Sequence, residues 1–377
     1  MEYRKYKEEK ISLLGFGCMR LPLIENTNKI NEILAKEMFD YAINHGINYF
    51  DTAYMYHEHQ SEEFVGKALS KYPRNSFNLA TKMPVIFVES EKDVERIFNE
   101  QLKKCKVEYF DYYLLHNINL EHLGKIEKYK IYQQIKQKQK EGKIRHLGFS
   151  FHDNIEVLKE TIKRYEWEFA QIQLNYFDWE QQKAKEQYEI LTEKEIPVII
   201  MEPVRGGSLA KLPQEAELIL KTVSPDKSIA SWAIRFAASL PNVITVLSGM
   251  SNFEQVEDNI ETISNFKPLT ENERKILLKA LEAYRKAATI PCTACRYCMD
   301  CPSGVDIPKN LSIYNSYLVR KSENNPMSKF LFEMECRILK KEELYSNCIK
   351  CNLCLNKCPQ HINIPQWLNK IIEFSNS

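Results

Sequence analysis

The stretch Phe110-Asp111-Tyr112-Tyr113-Leu114-Leu115-His116 carries the reading of the fold. A run this apolar suits a strand buried on both faces, as in a parallel sheet. Working outward, seven further runs rich in Ile, Val, Tyr and Phe lie near residues 13–15, 47–51, 77–81, 146–149, 169–174, 198–201 and 243–247. Longer amphipathic stretches separate them. In 33–42, for example, Leu34, Met38 and Tyr41 fall at helical spacing. Proline is absent from the middle of most of these stretches, where it would break a helix, whereas Pro73, Pro197 and Pro241 stand just before strands. Eight strand–helix units in about 285 residues is the size of a (β/α)8, or TIM, barrel. A doubly wound open sheet is the runner-up, but no Gly-x-Gly-x-x-Gly follows an early strand.

The chain has 377 residues, with 52 Lys and Arg against 51 Asp and Glu, a net charge of +1. That balance argues against a broad polyanion binder, so no nucleic-acid partner is expected. The N-terminal residues 1–10 are charged and carry no apolar leader core. No run approaches the roughly 18–20 apolar residues of a membrane span. A cytoplasmic protein with no membrane partner is the expectation. Only 11 glycines occur, which makes each more telling. Gly206 and Gly207 follow the seventh expected strand and Gly249 the eighth. In a barrel those loops commonly bind phosphate through backbone N–H groups. Ordinary turns are the plainer reading.

Residues 1–291 hold two of the 11 cysteines, Cys18 and Cys105, and the remaining residues hold nine. This placement speaks against a secreted disulfide framework and for reduced thiols bound to something. The first run is Cys292-x2-Cys295-x2-Cys298-x2-Cys301-Pro302 and the second is Cys348-x2-Cys351-x2-Cys354-x3-Cys358-Pro359. The second has the bacterial ferredoxin spacing; the first departs from it before its fourth cysteine. The expectation is two [4Fe–4S] clusters with crossed ligation. One would take Cys292, Cys295, Cys298 and Cys358, the other Cys348, Cys351, Cys354 and Cys301. Structural zinc and disulfides are the rival readings, although zinc sites use two separated pairs of thiols. Cys336 falls inside an expected helix over 328–344 and reads as buried filler. Residues 301–308 are answered by 358–365, and the composition changes at 286–291. Two domains follow: a barrel over 1–285 and a small, mainly α-helical ferredoxin-type iron–sulfur domain over 286–377.

Polar residues at the C-terminal ends of barrel strands read as catalytic. Asp51 ends the second expected strand, Lys82 follows the third and His116 the fourth. Each alone has a plain explanation, as a helix cap, a solvated charge or a core histidine. Together Asp51-Thr52-Ala53-x-x-Tyr56, Thr81-Lys82 and Leu115-His116 resemble the Asp–Tyr–Lys–His tetrad of the aldo-keto reductases. Gly148-Phe149-Ser150, Gln171-Ile172-Gln173-Leu174-Asn175 and the stretch 249–259 fall in that family's order. With its tail, the chain is similar to the subgroup that carries a ferredoxin-type domain with two clusters.

The resemblance implies NAD(P)H as hydride donor and a small carbonyl or alcohol as substrate. It makes Tyr56 the general acid, with Lys82 near it to lower its pKa. Asp51 would hold Lys82, and His116 would orient the carbonyl. Ser150 and Gln171 would contact the nicotinamide carboxamide. Met201 stands where many members place a stacking Tyr, and Phe151 where NADPH-specific members have Asn. Ser248, Gly249, Gln255 and Asn259 fall at the nucleotide end. Gly249 and Gln255 replace the Lys and Arg that commonly meet a 2′-phosphate, so NADH is expected to serve at least as well as NADPH. Three functions remain open at this point. The first is a reductase whose clusters exchange electrons with a redox partner protein. The second is the same reductase with structural or sensing clusters. The third is an iron–sulfur electron-transfer protein on a barrel that no longer reduces carbonyls. The tetrad favours the first two.

Overall fold

The computed structural model describes residues 1–25, 27–287, 289–299 and 301–376. Ala288, within the expected boundary segment, lies outside them. The chain opens with an antiparallel hairpin, β1 (Tyr3–Tyr6) and β2 (Glu9–Ser12), in which Tyr6 pairs with Glu9. Eight parallel strands follow: β3 (Leu14–Gly17), β4 (Tyr49–Asp51), β5 (Asn78–Met83), β6 (Phe110–Ile118), β7 (Ile144–Phe151), β8 (Phe169–Gln173), β9 (Val198–Met201) and β10 (Val243–Gly249). They close into a barrel in sequence order, with β10 pairing both β9 and β3. β6 is buried along nearly its whole length, as its apolar run requires. Tyr49, Ala80, Tyr112, Leu114, Phe169 and Ile199 pack together inside the barrel. Because every strand runs the same way, their C-terminal ends gather at one end of the barrel.

The hairpin was not among the expected elements. Tyr6 packs with the barrel-interior rings of Tyr112 and His146, at centroid distances of 6.0 and 5.1 Å. Its hydroxyl donates to the Glu168 carbonyl at 2.9 Å. The Arg4 guanidinium donates to the Leu240 carbonyl at 2.7 Å. Lys7, His146 and Gln139 bond to the Glu168 carboxylate, a neutralising arrangement for a half-buried charge.

The chain divides into two compact units, one made of residues 1–204 and 231–269 and the other of 205–230 and 270–377. In the second unit the helix Gln214–Lys221 packs on Glu271–Lys286, whose start carries a Thr270–Glu273 capping box. The rest is mainly helical, with helices Ile307–Ser322, Ser328–Cys336 and Ile364–Asn376 around a core of Leu311, Phe332, Leu368 and Ile371. Both repeats open a helix at Ile-Pro, where the missing proline N–H costs nothing. The Asp306 side chain accepts from Lys309 N–H. The helix expected over 328–344 ends at Cys336. Beyond it Asn310 draws the chain into tight turns, donating to the Glu343 carbonyl and accepting from Tyr345 N–H. Cys336 is partly buried against this core. No helix among the described residues is long and apolar enough to cross a membrane.

Candidate active site

Apart from Gln171, in the middle of β8, the polar residues singled out in the first 265 residues lie at or beyond the C-terminal ends of the barrel strands. Asp51 ends β4, Lys82 sits one residue from the end of β5, and His116 is in the last third of β6. Ser150 and Gln171 lie in β7 and β8, Met201 ends β9, and Ser248 and Gly249 end β10. The Lys82 ammonium, fully buried, donates to Asp51 Oδ1 at 2.7 Å, to the Thr52 carbonyl at 2.8 Å and to Tyr56 Oη at 3.4 Å. Tyr56 arrives from the loop after β4, and its ring meets His116 edge-on, with centroids 6.1 Å apart. The structure thus brings Asp51, Tyr56, Lys82 and His116 together.

Burial dominates the electrostatics. It pushes the Tyr56 phenol well above its usual pKa of 10, and the Asp51 and Glu202 charges add to that. The phenol therefore keeps its proton in the resting site. The ammonium makes its short bonds to Asp51 and Thr52, leaving the phenol the longest of the three. Burial likewise raises the Asp51 carboxyl against the opposing pull of Lys82. It drives the His116 imidazole well below its ordinary range, helped by the Lys82 charge. Tyr56 and His116 are both neutral near pH 7.

Around this group, Ser150 Oγ accepts from Asn117 N–H at 2.8 Å, which leaves its own hydrogen to donate. Gln171 is buried and its Nε2 donates to the Met201 sulfur at 3.6 Å, while its Oε1 meets no hydrogen-bond partner. A buried amide oxygen without a partner is costly unless something else supplies a donor. Asn259 donates to Ser248 Oγ at 2.9 Å. Gln255 is exposed and accepts from Ser251 N–H. Gly206 and Gly207 belong to the second unit. A side chain on Gly206 would meet the Thr293 carbonyl at 2.2 Å, and its φ is +65°, so close packing and backbone conformation both account for the glycine. Two charged residues near Tyr56 were not singled out: Arg20, beyond β3, and Glu202, beyond β9, form an ion pair at 3.0 Å. The rule that barrel strand ends carry function would have flagged both.

The two-cluster expectation is corrected. Cys292, Cys295, Cys298, Cys301, Cys348, Cys354 and Cys358 are partly buried and Cys351 is exposed. Cys298 feels Cys295, Cys292 and Cys358 as neighbours, and Cys354 feels Cys348, Cys351 and Cys301, but burial is the larger cause in raising each of these two thiols. Among the described residues, no group of three or more Cys, His, Asp or Glu side chains is placed to hold a metal ion. Cysteine spacing sets the chain length between thiols, but a metal site also needs them aimed at one point as thiolates. No cluster is assigned to these thiols. Neither a reductase coupled to or stabilised by clusters nor an iron–sulfur electron-transfer protein follows from them.

Comparison with known proteins bears on both parts of the chain. Residues 13–282 match the family model described as Aldo/keto reductase family, and residues 291–364 match one described as 4Fe-4S dicluster domain. The chain is 29% identical over 307 residues to an uncharacterized oxidoreductase of Bacillus subtilis, covering 73% of this chain and 93% of the relative. It is 26% identical over 282 residues to an L-galactose dehydrogenase of Arabidopsis thaliana, covering 69% and 86%. Among solved structures, the holo form of an aldo-keto reductase from Bacillus halodurans superposes with a TM-score of 0.62 at 27% identity, covering 74% of this chain and 96% of that one.

Proposed function

The chain belongs to the aldo/keto reductase family, and on that premise we propose that it reduces an aldehyde or ketone with NAD(P)H, or runs the reverse oxidation of an alcohol. The observation that carries the reading is the buried Lys82 ammonium set between Asp51 Oδ1 at 2.7 Å and Tyr56 Oη at 3.4 Å. The residues present fit a nicotinamide. Gln171 Oε1 needs a donor, and a carboxamide N–H is one. Ser150 has a hydroxyl hydrogen to give to a carboxamide oxygen. Met201 offers an adaptable apolar contact where an aromatic ring is absent. When bound, the cofactor supplies a hydride to the carbonyl carbon.

The protein's own residues handle the proton. Tyr56 Oη gives its hydrogen to the carbonyl oxygen as the C–O double bond becomes single, which leaves an alcohol and a phenolate. Lys82 lies beside that phenolate and offsets its charge, and Asp51 keeps the ammonium in place. Tyr56 then recovers a proton from water. His116, held neutral by burial, can donate a hydrogen bond to the carbonyl oxygen and orient it. Ser248, Gly249, Gln255 and Asn259 would receive the nucleotide. Neither Gly249 nor Gln255 is itself a cation, and Arg20, whose side chain packs against Gly249, is already paired with Glu202; this supports NADH serving at least as well as NADPH.

The test is cofactor oxidation, followed by absorbance, with a panel of aldehydes and ketones. Tyr56→Phe should lose about 10²–10⁴-fold in kcat while binding cofactor normally. No turnover with any carbonyl, or full activity in Tyr56→Phe, would overturn the reading.

A further inference from the structure

Directly behind Lys82 lies a buried polar network that the chemistry above does not use. Glu62 and Gln101 are both fully buried. Glu62 Oε1 accepts from Thr81 Oγ1 at 2.7 Å and from Gln101 Nε2 at 2.6 Å. The second hydrogen of Gln101 Nε2 goes to the backbone carbonyl of Lys82 itself, at 2.9 Å. Gln101 Oε1 accepts from the Tyr113 hydroxyl at 2.5 Å. The amide thus spends both hydrogens, one on the carboxyl and one on the strand that carries the ammonium. The neighbouring Ser61 works on the other side, donating to the Cys18 carbonyl at 3.0 Å and bonding Thr52 Oγ1 at 2.8 Å. The Thr52 carbonyl is one of the acceptors that fix the Lys82 ammonium.

The packing explains how the network is assembled. Glu62 lies in the first turn of the helix Ser61–Leu69, and Gln101 lies in the helix Glu91–Cys105. Gly66, one turn after Glu62, lets the two helices touch. A side chain there would stand 2.4 Å from the Lys104 carbonyl. Glu62 Oε2 has no hydrogen-bond partner, so part of the cost of burying this carboxyl is not offset by hydrogen bonding.

We propose that Glu62 and Gln101 are positioning residues for proton donation by Tyr56: they lock the end of β5 and so hold the Lys82 ammonium between Asp51 and the phenol. This rests on Tyr56 being the proton donor, so the test also reads Lys82 directly. In the full chain, kcat and KM are measured for Glu62→Ala, Glu62→Gln, Gln101→Met and Thr81→Val, together with the rate at which Lys82 is acetylated under native conditions. Misplacing a catalytic group by even ~1 Å costs up to about 10²-fold, so Glu62→Ala and Gln101→Met should lose about 10- to 100-fold in kcat. Their KM should stay nearly constant, and Lys82 should be acetylated faster. Glu62→Gln keeps an acceptor at Oε1 and should retain activity and protection. Thr81→Val, which preserves shape, covers the case in which Glu62→Ala does not fold, and should show a smaller loss in kcat alone. Unchanged kcat and Lys82 protection in folded Glu62→Ala or Thr81→Val, equal losses in Glu62→Ala and Glu62→Gln, or a loss confined to KM would overturn the proposal. If the wild-type chain reduces no carbonyl yet Glu62→Ala exposes Lys82, the positioning role stands and the reading of the reaction falls.

Discussion

His57 should make the loop that carries Tyr56 sensitive to acid. After Tyr56 the backbone takes three consecutive left-handed residues, His57, Glu58 and His59, with φ of 51°, 53° and 70°. None is glycine, so the turn is strained and needs support. Part of that support is His57 Nε2, which accepts from Leu21 N–H at 3.0 Å. That bond exists only while Nε2 is unprotonated. Burial, helped by the nearby Arg20 charge, brings the imidazole down from 6.5 to about 4. The unfolded chain therefore takes up a proton below about 6.5, while the folded chain resists until about 4. Stability from this group is complete above about 6.5 and is lost as the pH falls toward 4. The gap corresponds to about 3 kcal/mol, reduced to about 2 because the ring is partly exposed. Urea unfolding of the wild type and of His57→Gln, whose amide oxygen can accept the same N–H without titrating, checks this. Between about pH 7 and pH 4.5 the wild type should lose about 2 kcal/mol more than the variant. Identical pH dependence in the two proteins would refute the reasoning, since every other titrating group is common to both.

Three further outcomes follow from the same geometry. Lys82→Met leaves the buried Asp51 carboxyl without its counter-ion and should cost about 3–5 kcal/mol in urea unfolding, much of it recovered in the Asp51→Asn, Lys82→Met double variant. Gln171→Leu removes a buried oxygen that lacks a partner, so the fold should keep its stability or gain up to about 1 kcal/mol, while calorimetry should show weaker cofactor binding. Gln255→Arg places a cation on the exposed start of the helix after β10 and should strengthen NADPH binding about tenfold relative to NADH.

The barrel was legible because its strands are buried on both faces, and the sequence records that burial as unbroken apolar runs such as Val198–Met201. The hairpin was not, because Tyr3–Tyr6 sets two adjacent cations, Arg4 and Lys5, between its rings and so reads as a wet segment with no period-two alternation. Its reasons for folding are tertiary, in the contacts of Tyr6 and Arg4. Among the site residues, Asp51, Lys82 and His116 could be found because strand ends are recognisable and the barrel brings them together. Glu62 and Gln101 could not, because a polar residue on a helix reads by default as solvated. Both are buried where their helices meet, an approach that the missing side chain of Gly66 permits. In the cysteine runs spacing was legible, but thiol direction was not. The helix after Ser328 ends at Cys336, and Asn310 holds the turns that follow through bonds the sequence does not announce.

Burial also bears on the role proposed for the tetrad. A lysine beside a tyrosine suggests an acid made stronger, yet here the phenol is raised, not lowered. Burial is the larger cause, and the hydrogen-bond distances show how the ammonium is otherwise engaged. Lys82 commits its short bonds to Asp51 and Thr52 and keeps only the longest for Tyr56. In the resting site the tyrosine keeps its proton, and His116 is neutral as well. Charge on the tyrosine is stabilised only once the proton has left, when the ammonium faces a phenolate and not a phenol. An interaction that is weak before transfer and strong after it lowers the barrier without tightening ground-state binding. It depends on the ammonium being held still while the charge beside it changes. On the reaction proposed above, that is the part the hydrogen bonds behind β5 would play.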